Sequence, residues 1–494
     1  MAENKSSYRE VIKATSLFGG VQVFGIIISI IRSKFVAVLL GPMGMGISGL
    51  LTSTTGMIAA LTNFGLGTSA VKDVSVANST GNRLRISIVV TVFRRWVWLT
   101  GFLGAVITLI FSPWLSQITF GNQDYTYAFI IISITLLLNQ ISTGQLVLLR
   151  GMRKLKQLAK SSMVGSLLGL FTVIPIYYFF GISGIVPGII VTSLTALILS
   201  WFFARKIDLK KVYVSRLRTI AEGREMLKMG FAISLSGLIT LGASYFVRIF
   251  ISNHGGVDQV GLYNAGFAII NTYVGMIFTA MGTDYYPRLS AVSHDNKLSR
   301  QTIIQQAEIA LLILAPFISV FLVFINWIVV VLYSTKFMPV NEMILWAALG
   351  MFFKAISWSI AFIFLAKGAN RLFFWNELIT NCYLLAFNLI GYSIWGLTGL
   401  GISFMISYIL YVVQVFIIAN IKYEFYFDFS FYKIFSIQLI LAIFCLLDIK
   451  LVKYPYNYII GVILIIISII YSYLELDKRL ALKLLFNSIR KKLK

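Results

Sequence analysis

The stretch IIISIIRSKFVAVLLGPMGMG, from Ile26 to Gly46, decides what kind of fold the chain can adopt. Its apolar run has the length of a helix that crosses a bilayer, which needs about 20 such residues. Arg32 and Lys34 nevertheless lie inside it. A charge at the bilayer centre costs at least ~2.5–3.5 kcal/mol, so it normally faces protein, water or a ligand. The stretch predicts a membrane protein with cationic groups inside the membrane.

The composition of the whole chain agrees with this interpretation. Of 494 residues, 58% are hydrophobic and 12% are charged, and the mean hydropathy is +0.87. A soluble domain carries roughly 25% charged residues. The polar start MAENKSSYREVIKATS lacks the pattern of a cleavable signal peptide, so the first span is expected to direct insertion. We therefore expect an integral membrane protein.

Metal and thiol chemistry find no support in the sequence. The cysteines, Cys382 and Cys445, both lie in apolar segments, which argues against a disulfide framework or a cysteine metal site. The histidines, His254 and His294, have no ligand motif around them. We expect no catalytic residues, no metal and no cofactor, and a coupling ion is left open.

Fourteen apolar runs of about 20 residues follow one another along the chain. We place the spans at 17–40, 47–71, 96–113, 127–149, 162–180, 183–204, 230–251, 262–284, 307–332, 343–366, 372–394, 398–420, 433–448 and 457–474. The outside loops are short and carry no acidic catalytic pair. The pattern predicts an all-α transporter and not an enzyme.

Basic residues fall mainly on one side of these spans. With both termini in the cytoplasm, 35 of the 42 lysines and arginines lie inside, three lie outside and four lie within spans. Such a bias is the positive-inside signal. The net charge of +24 therefore reflects topology and attracts anionic inner-leaflet lipids, not nucleic acid. The segments 150–160 and 205–218 are expected to be solvated cytoplasmic faces.

An internal repeat relates two parts of the chain. GISGLLTSTTGMIAALTNFGLGTSAVKD, from Gly46, aligns with GLYNAGFAIINTYVGMIFTAMGTDYYPR, from Gly261, at an offset of 215 residues. In each segment a second glycine follows 21 residues later and precedes a threonine. The offset also places Arg248 beside the position equivalent to Arg32.

Six spans separate equivalent helices, so the repeats run parallel. Parallel repeats place two lobes around a central site that is reached alternately from each side of the membrane. We predict two six-helix lobes, 1–204 and 230–420, around a central cationic cavity. An inter-lobe linker at 205–229 joins them, and 421–494 forms an extra helix pair with a basic cytoplasmic tail.

Arg32 and Lys34 point to different sides of their helix, because two residues are separated by about 200°. Arg32 continues a polar, small-residue stripe at Gln22, Gly25 and Ser29. Lys34 lies with apolar residues and is expected to snorkel toward the outer interface or to contact a neighbouring helix. We predict that Arg32 faces the cavity, with snorkelling and structural pairing as the alternatives.

Two further cations lie within spans. Arg248 shares a face with Gly237, Thr240 and Ser244, and the same alternatives apply to it as to Arg32. Lys354 lies among small residues, which fits a cavity wall and a close-packing seam equally well.

Three amides within spans complete the candidate substrate-binding residues: Asn139, Gln140 and Asn271. Each is a candidate either for binding sugar hydroxyls or for hydrogen bonding between helices. Glu308 and Glu377 are expected near inside ends, where loop cations or water can meet them. Cations without matching acids predict an anionic ligand, and arginine suits phosphate or diphosphate.

The segment RSKFVAVLLGPMGMGISGLLTSTTGMIAALTNFGLGTSAV resembles the first two helices of Wzx-type O-antigen and polysaccharide repeat-unit translocases. Their superfamily also contains lipid II flippases and multidrug and toxin extrusion transporters. The likeness is strongest over residues 10–80, and LGPMGMG and NFGLGTSAV carry most of it. Arg32 resembles an arginine of lipid II flippases, which often carry an acid after it, where this chain has Ser33.

The resemblance implies a flippase that moves an undecaprenyl-diphosphate-linked oligosaccharide across the bacterial inner membrane, and the charge bias places both termini in the cytoplasm. The implied partners are that glycan, anionic lipids, and a polysaccharide polymerase or other synthesis proteins. A cation-coupled multidrug exporter is one alternative, and it should carry a lumenal carboxylate. A non-transporting assembly protein is the other, and it should depend on its basic loops more than on lumenal arginines.

Overall fold

The computed structural model describes residues 2–207 and 212–480, so part of the predicted linker and nearly all of the predicted basic tail lie outside it. Helices occupy almost all of the described residues, and no strand occurs among them. A backbone inside a bilayer finds no water to bond, and a helix satisfies its own N–H and C=O groups. The predicted all-α membrane fold is confirmed.

The helices follow one another with short connections. In chain order they are α1 (Ala2–Thr62), α2 (Leu66–Ser79), α3 (Arg83–Ile110), α4 (Ser112–Phe120), α5 (Thr126–Gly151), α6 (Leu155–Phe180), α7 (Ile185–Ala204), α8 (Arg216–Gly255), α9 (Val257–Ala268), α10 (Met276–Ala291), α11 (Asn296–Leu332), α12 (Asn341–Ala366), α13 (Asn370–Tyr423), α14 (Phe429–Leu451) and α15 (Tyr456–Leu480). A π-helical turn at Ile269–Val274 separates α9 from α10.

Among the described residues, ten helical stretches and the bent helix α8 are long and apolar enough to cross a membrane. Three of the ten contain 43, 50 and 54 residues, whereas a crossing needs about 20: 20–62, 155–204 and 370–423. Each of these three is interrupted once, at Gly41, at the 3₁₀ turn Gly181–Gly184 and at Gly396. The described residues therefore contain fourteen spans, as predicted.

The second span ends earlier than its apolar run suggests. Its helix stops at Thr62, and Phe64 and Gly65 take left-handed backbone conformations with φ of 48° and 64°. The Gly65 N–H donates to Asn63 Oδ1 at 2.8 Å, which stabilises the turn. A Cβ on Gly65 would lie 2.1 Å from the carbonyl oxygen of Gly230, so only glycine fits there. The predicted span 47–71 is therefore two helices with a turn between them.

The helix α8 is bent by 56° between Leu235 and Gly237. The bend occurs at the adjacent Ser236 and Gly237, and such serine–glycine pairs are a recognised place for a sharp kink. The half that precedes the bend packs near the α1–α2 turn through Gly230 and Gly65. The two halves of the seventh span therefore run in different directions, and residues on both sides of the bend line the cavity described below.

The glycines that the repeat equates, Gly46 and Gly261, lie at one helix crossing. A Cβ on Gly46 would lie 2.0 Å from the carbonyl oxygen of Val257. A Cβ on Gly261 would lie 1.9 Å from the carbonyl oxygen of Pro42 and 3.0 Å from the amide nitrogen of Gly46. The backbones of α1 and α9 thus meet with no side chain between them.

Contacts divide the chain into two compact units, one ending at Leu262 and the other beginning at Tyr263. In the first unit α8 packs against α1, α2, α3 and α4. In the second, α11 packs against α12, α14 and α15, and α12 packs along α13. The division into 1–204, 205–229, 230–420 and 421–494 stays a prediction from the repeat.

An ion pair and a neutral hydrogen bond hold the last helix pair in the second unit. The buried carboxylate of Glu308 on α11 accepts a hydrogen bond from Arg479 Nε on α15 at 2.7 Å. Within the pair, Gln438 Nε2 donates to Ser472 Oγ at 2.8 Å. Glu308 therefore meets a cation, as the sequence predicts, and the cation comes from the end of the last described helix.

Candidate functional site

The membrane part of α1 exposes two opposite faces of different composition. The exposed side chains of the first face are Val23, Ile27, Ile31, Phe35 and Val38. On the opposite face Gln22 and Ser29 are exposed. A Cβ on Gly25 would meet no atom within 4 Å, so this face also borders open space. An apolar face suits lipid, whereas a polar face inside the membrane needs water, protein or a ligand.

Arg32 and Lys34 lie on these two different faces, and both side chains are half-buried. Arg32 lies on the polar face, where its guanidinium is close enough to the hydroxyl of Tyr177 on α6 to interact with it. Tyr177 is buried. Its ring packs against Gly188 of α7 so closely that a Cβ on this glycine would lie 2.8 Å from it. Arg32 is therefore oriented by a partner that sequence spacing could not identify. Lys34 lies with the apolar residues.

Arg248 occupies an equivalent face on α8. Its Nη1 donates to the carbonyl oxygen of Ser244 at 3.0 Å and also to the Ser244 hydroxyl. Thr240 on the same face is exposed, and a Cβ on Gly237 would meet no atom within 4 Å. The stripes that end in Arg32 and Arg248 thus both border open space.

A cavity of about 640 Å³ lies inside the first unit, at the bend of α8. Its polar lining residues are Asn63, Thr68, Gln140, Thr143, Arg150 and Ser234. Gln140 Nε2 also donates to Thr100 Oγ1 at 3.0 Å, so this amide both bridges two helices and borders the cavity. Asn139 is exposed on α5. Arg150 belongs to a segment predicted as a solvated face, and its place at the cavity was not foreseen.

In the second unit the structure brings together two predicted residues, Lys354 and Asn271. Lys354 Nζ donates to Asn271 Oδ1 at 2.9 Å. The same ammonium lies 5.3 Å from the ring centre of Tyr408 and 5.6 Å from that of Phe404. Aromatic faces attract a cation without neutralising it. The arrangement therefore holds a positive charge that can still attract an anion.

Small residues beside Lys354 form a packing seam. Ala347 and Ser357 on α12 are buried, and a Cβ on Gly350 would lie 2.7 Å from the Phe404 ring. These residues let α12 and α13 approach closely, as small residues do in membrane helix pairs. The sequence allows this stripe to be a cavity wall or a close-packing seam. The small residues form a packing seam, whereas the Lys354 side chain extends to Asn271.

A π-helical turn places Asn271 where Lys354 can reach it. Such turns often occur at functional sites. Gly275, directly after the turn, is required by it, because a Cβ there would lie 2.0 Å from the carbonyl oxygen of Asn271.

We expect Gly275→Ala to lower stability by about 1–3 kcal/mol, the usual cost of overpacking, because the turn must rearrange. Gly282→Ala is the matched control on α10, since its Cβ would make an ordinary 3.4 Å contact with Trp358. Thermal unfolding of the two purified variants in detergent measures the difference. Equal midpoints for the two variants would contradict a requirement for glycine at Gly275.

Glu377 has a different partner from the one expected. The sequence predicts that loop cations or water meet it, whereas its Oε1 accepts a hydrogen bond from the Tyr411 hydroxyl at 2.9 Å. Asn376 Nδ2 donates to the same hydroxyl at 3.1 Å, and Gln414 Nε2 donates to Asn376 Oδ1 at 2.7 Å. A chain of donors thus ends on a carboxylate inside α13.

Comparison with known proteins identifies relatives over most of the chain. Residues 35–342 match the model of a family described as polysaccharide biosynthesis protein. The lipid III flippase of Escherichia coli (strain K12) is 22% identical over 384 residues, which cover 76% of this chain and 90% of the relative.

Solved structures show the same fold. A lipid II flippase in an inward-closed conformation matches with a TM-score of 0.69 and 13% identity, covering 95% of this chain and all of that one. An inward-facing multidrug resistance transporter of the MATE family and MOP superfamily matches with a TM-score of 0.67 and 15% identity, covering 81% and 94%. The predicted similarity to the superfamily of lipid II flippases and multidrug and toxin extrusion transporters is confirmed for the fold.

Proposed function

Because this chain belongs to the polysaccharide biosynthesis protein family, we propose that it flips an undecaprenyl-diphosphate-linked oligosaccharide across the bacterial inner membrane. The lipid III flippase similarity supports the choice of a lipid-linked oligosaccharide. The substrate would be an O-antigen or a capsular or exopolysaccharide repeat unit. Both termini would lie in the cytoplasm, where the basic loops meet anionic lipid.

One observation carries the proposal: Arg32 and Arg248 end two polar faces that border open space, on helices long and apolar enough to cross a membrane. The stretches 20–62 and 237–255 contain no aspartate or glutamate. Cations in such surroundings attract an anion, and a guanidinium binds phosphate oxygens through two parallel hydrogen bonds. A diphosphate is the part of the proposed substrate that fits this chemistry.

The remaining candidate residues have supporting roles in the proposal. Lys354, which Asn271 and two aromatic rings hold, is proposed as a further cation that binds the substrate. Gln140 and Asn139 on α5 would contact sugar hydroxyls. Like charges repel strongly where the dielectric is low, so closure around the cations is favoured only after an anion has neutralised them. Substrate binding would in this way be linked to alternating access.

One observation supports the alternative function, a cation-coupled multidrug exporter. An exporter coupled to a cation needs a carboxylate inside the membrane, and Glu377, hydrogen-bonded by Tyr411, is such a group in the described spans. The MATE-family fold similarity fits this alternative as well. The arginine-bearing faces favour an anionic substrate, and they decide our preference for the flippase.

The experiment that tests the proposal removes the gene for this protein and resolves undecaprenyl-linked glycans by membrane leaflet. We expect a finished repeat unit to accumulate on the cytoplasmic leaflet, because synthesis continues while translocation stops. Re-expression of the wild-type chain should clear the accumulated glycan, which serves as the control. The same strains should be tested for growth with cationic drugs.

Two results would contradict the flippase. If no glycan accumulates and the deletion strain becomes sensitive to cationic drugs, the exporter is the correct function. If the glycan is not retained on the inner leaflet but polymerisation fails, the chain is an assembly protein.

A further inference from the structure

A second cavity of the first unit has no part in the proposed function. It is a groove of about 410 Å³ between α3, α5 and α7. Arg94, Arg205, Trp98, Trp201 and Gln145 are among its lining residues, and none of the lining residues is acidic. Arg205 directly follows the end of α7, and the charge pattern places that end at the cytoplasmic surface. The groove therefore combines two cations and two indoles near one membrane surface.

The two arginines that line the groove are Arg94 and Arg205, whereas Arg95, which follows Arg94 in the chain, bonds elsewhere. Arg95 Nη1 donates to the Val214 carbonyl at 2.8 Å and to Thr219 Oγ1 at 2.6 Å, which ties α3 to the start of α8. Arg94, one residue earlier, lines the groove instead. The guanidinium carbon of Arg205 lies 4.8 Å from the ring centre of Trp201, so the indole supports it from one side.

The amide of Gln145 adds a third polar group. Its Oε1 accepts a hydrogen bond from Ser200 Oγ at 2.6 Å, which orients the side chain. The other end of the amide is a nitrogen, which donates hydrogen bonds. Two guanidinium groups and an amide nitrogen make a donor set for an anion with several oxygens, such as a phosphate.

The groove opens onto a surface that suits lipid. Trp98 is 57% exposed and Trp201 is 52% exposed. Large apolar side chains on the same helices, Phe102 on α3 and Ile198 on α7, are exposed as well. Tryptophan concentrates where the hydrocarbon of a bilayer meets its headgroups. An acyl chain can therefore lie along α3 or α7 while its headgroup enters the groove.

We propose that this groove binds the phosphate of an anionic phospholipid from the cytoplasmic leaflet, with Arg94 and Arg205 as its ligands. Basic pockets between membrane helices on the cytoplasmic side recognise such headgroups. A lipid-linked oligosaccharide would bring many hydroxyls, and the groove offers one amide besides the two guanidinium groups. The bound lipid would link α3, α5 and α7. Arg205 is then a ligand and not part of a solvated face.

The test compares two double variants of the purified full chain that lose the same charge. Arg94→Gln with Arg205→Gln removes the proposed ligands. The matched control is Arg83→Gln with Lys206→Gln, which removes one exposed cation from the start of α3 and one from just after α7. Native mass spectrometry with dioleoylphosphatidylglycerol measures the apparent dissociation constant of each. We expect the first pair to weaken binding about tenfold or more and the control less than about twofold, because each headgroup contact contributes.

Folding is checked by thermal unfolding in phosphatidylcholine, where both double variants should match the wild type. A photoreactive phosphatidylglycerol should label peptides of α3 and α7 in the wild-type chain, which tests the site without any substitution. Equal weakening by the two double variants, or labelling elsewhere, would overturn the proposal. Displacement by undecaprenyl diphosphate at concentrations below those of phosphatidylglycerol, or by millimolar inorganic phosphate, would also overturn it.

Discussion

Replacement of Arg248 by glutamine is expected to lower transport about ten- to hundredfold while the protein stays in the membrane. A hydrogen bond to a charged group contributes about 1.5–3 kcal/mol, and that is the interaction with the diphosphate which the variant loses. The effect should appear as slower incorporation of repeat units into surface polysaccharide. Immunoblotting of membranes should show an unchanged protein level. Arg224→Gln is the matched control, because Arg224 is an exposed cation of the same helix.

The equivalent variant Arg32→Gln separates substrate binding from structural pairing. Arg32 interacts with the hydroxyl of Tyr177, so Tyr177→Phe removes that contact and keeps the charge. If Arg32 binds the diphosphate, Arg32→Gln should reduce transport much more than Tyr177→Phe. Equal losses in the two variants would assign Arg32 to helix pairing. Normal transport in both Arg32→Gln and Arg248→Gln would remove the basis for the proposed site.

Introducing one methyl group at Gly261 is expected to destabilise the protein by about 1–3 kcal/mol, and more if the helices cannot separate. The new Cβ would lie 1.9 Å from the Pro42 carbonyl oxygen, which is backbone and cannot rotate away. Gly46→Ala should behave in the same way, since its Cβ would lie 2.0 Å from the Val257 carbonyl oxygen. The midpoint of thermal unfolding in detergent measures both effects.

Gly56→Ala provides the opposite expectation on the same segment of α1. A Cβ there would meet no atom within 4 Å, and alanine is favoured over glycine in a helix by roughly 0.5–1 kcal/mol. The control should therefore unfold at the wild-type temperature or slightly above it. If Gly261→Ala and Gly46→Ala unfold like Gly56→Ala, the close crossing of α1 and α9 is wrong.

Much of the fold could be predicted because bilayer crossings depend on composition and length. The fourteen spans, the all-α class and the charged positions within them follow from runs of apolar residues. The end of the second span could not be predicted this way, because Leu66–Val71 contains no charge or proline that would mark the left-handed turn at Phe64 and Gly65 as its end. The nine-residue helix α4 was also missed, since it is too short to give a clear pattern.

The candidate site was predictable only where helical spacing decides the outcome. The faces of α1 and α8 that carry Arg32 and Arg248 follow from steps of three and four residues. Their partners do not, because Tyr177 comes from a helix distant in the sequence. Asn271 reaches Lys354 through a π-helical turn that has no signature in composition. Glu377 is predicted near an inside end, where loop cations or water can meet it, because the sequence does not show Tyr411 beside it.

The most direct measurement places the purified chain in liposomes that contain a polyprenyl-diphosphate-linked oligosaccharide in the leaflet facing the lumen. A membrane-impermeant glycosidase added outside reports how much glycan has crossed. Our account predicts cleavage of the inner-leaflet glycan with the wild-type chain and much slower cleavage with Arg248→Gln. Cleavage of the outer-leaflet fraction alone, with wild-type liposomes no different from protein-free ones, would contradict it.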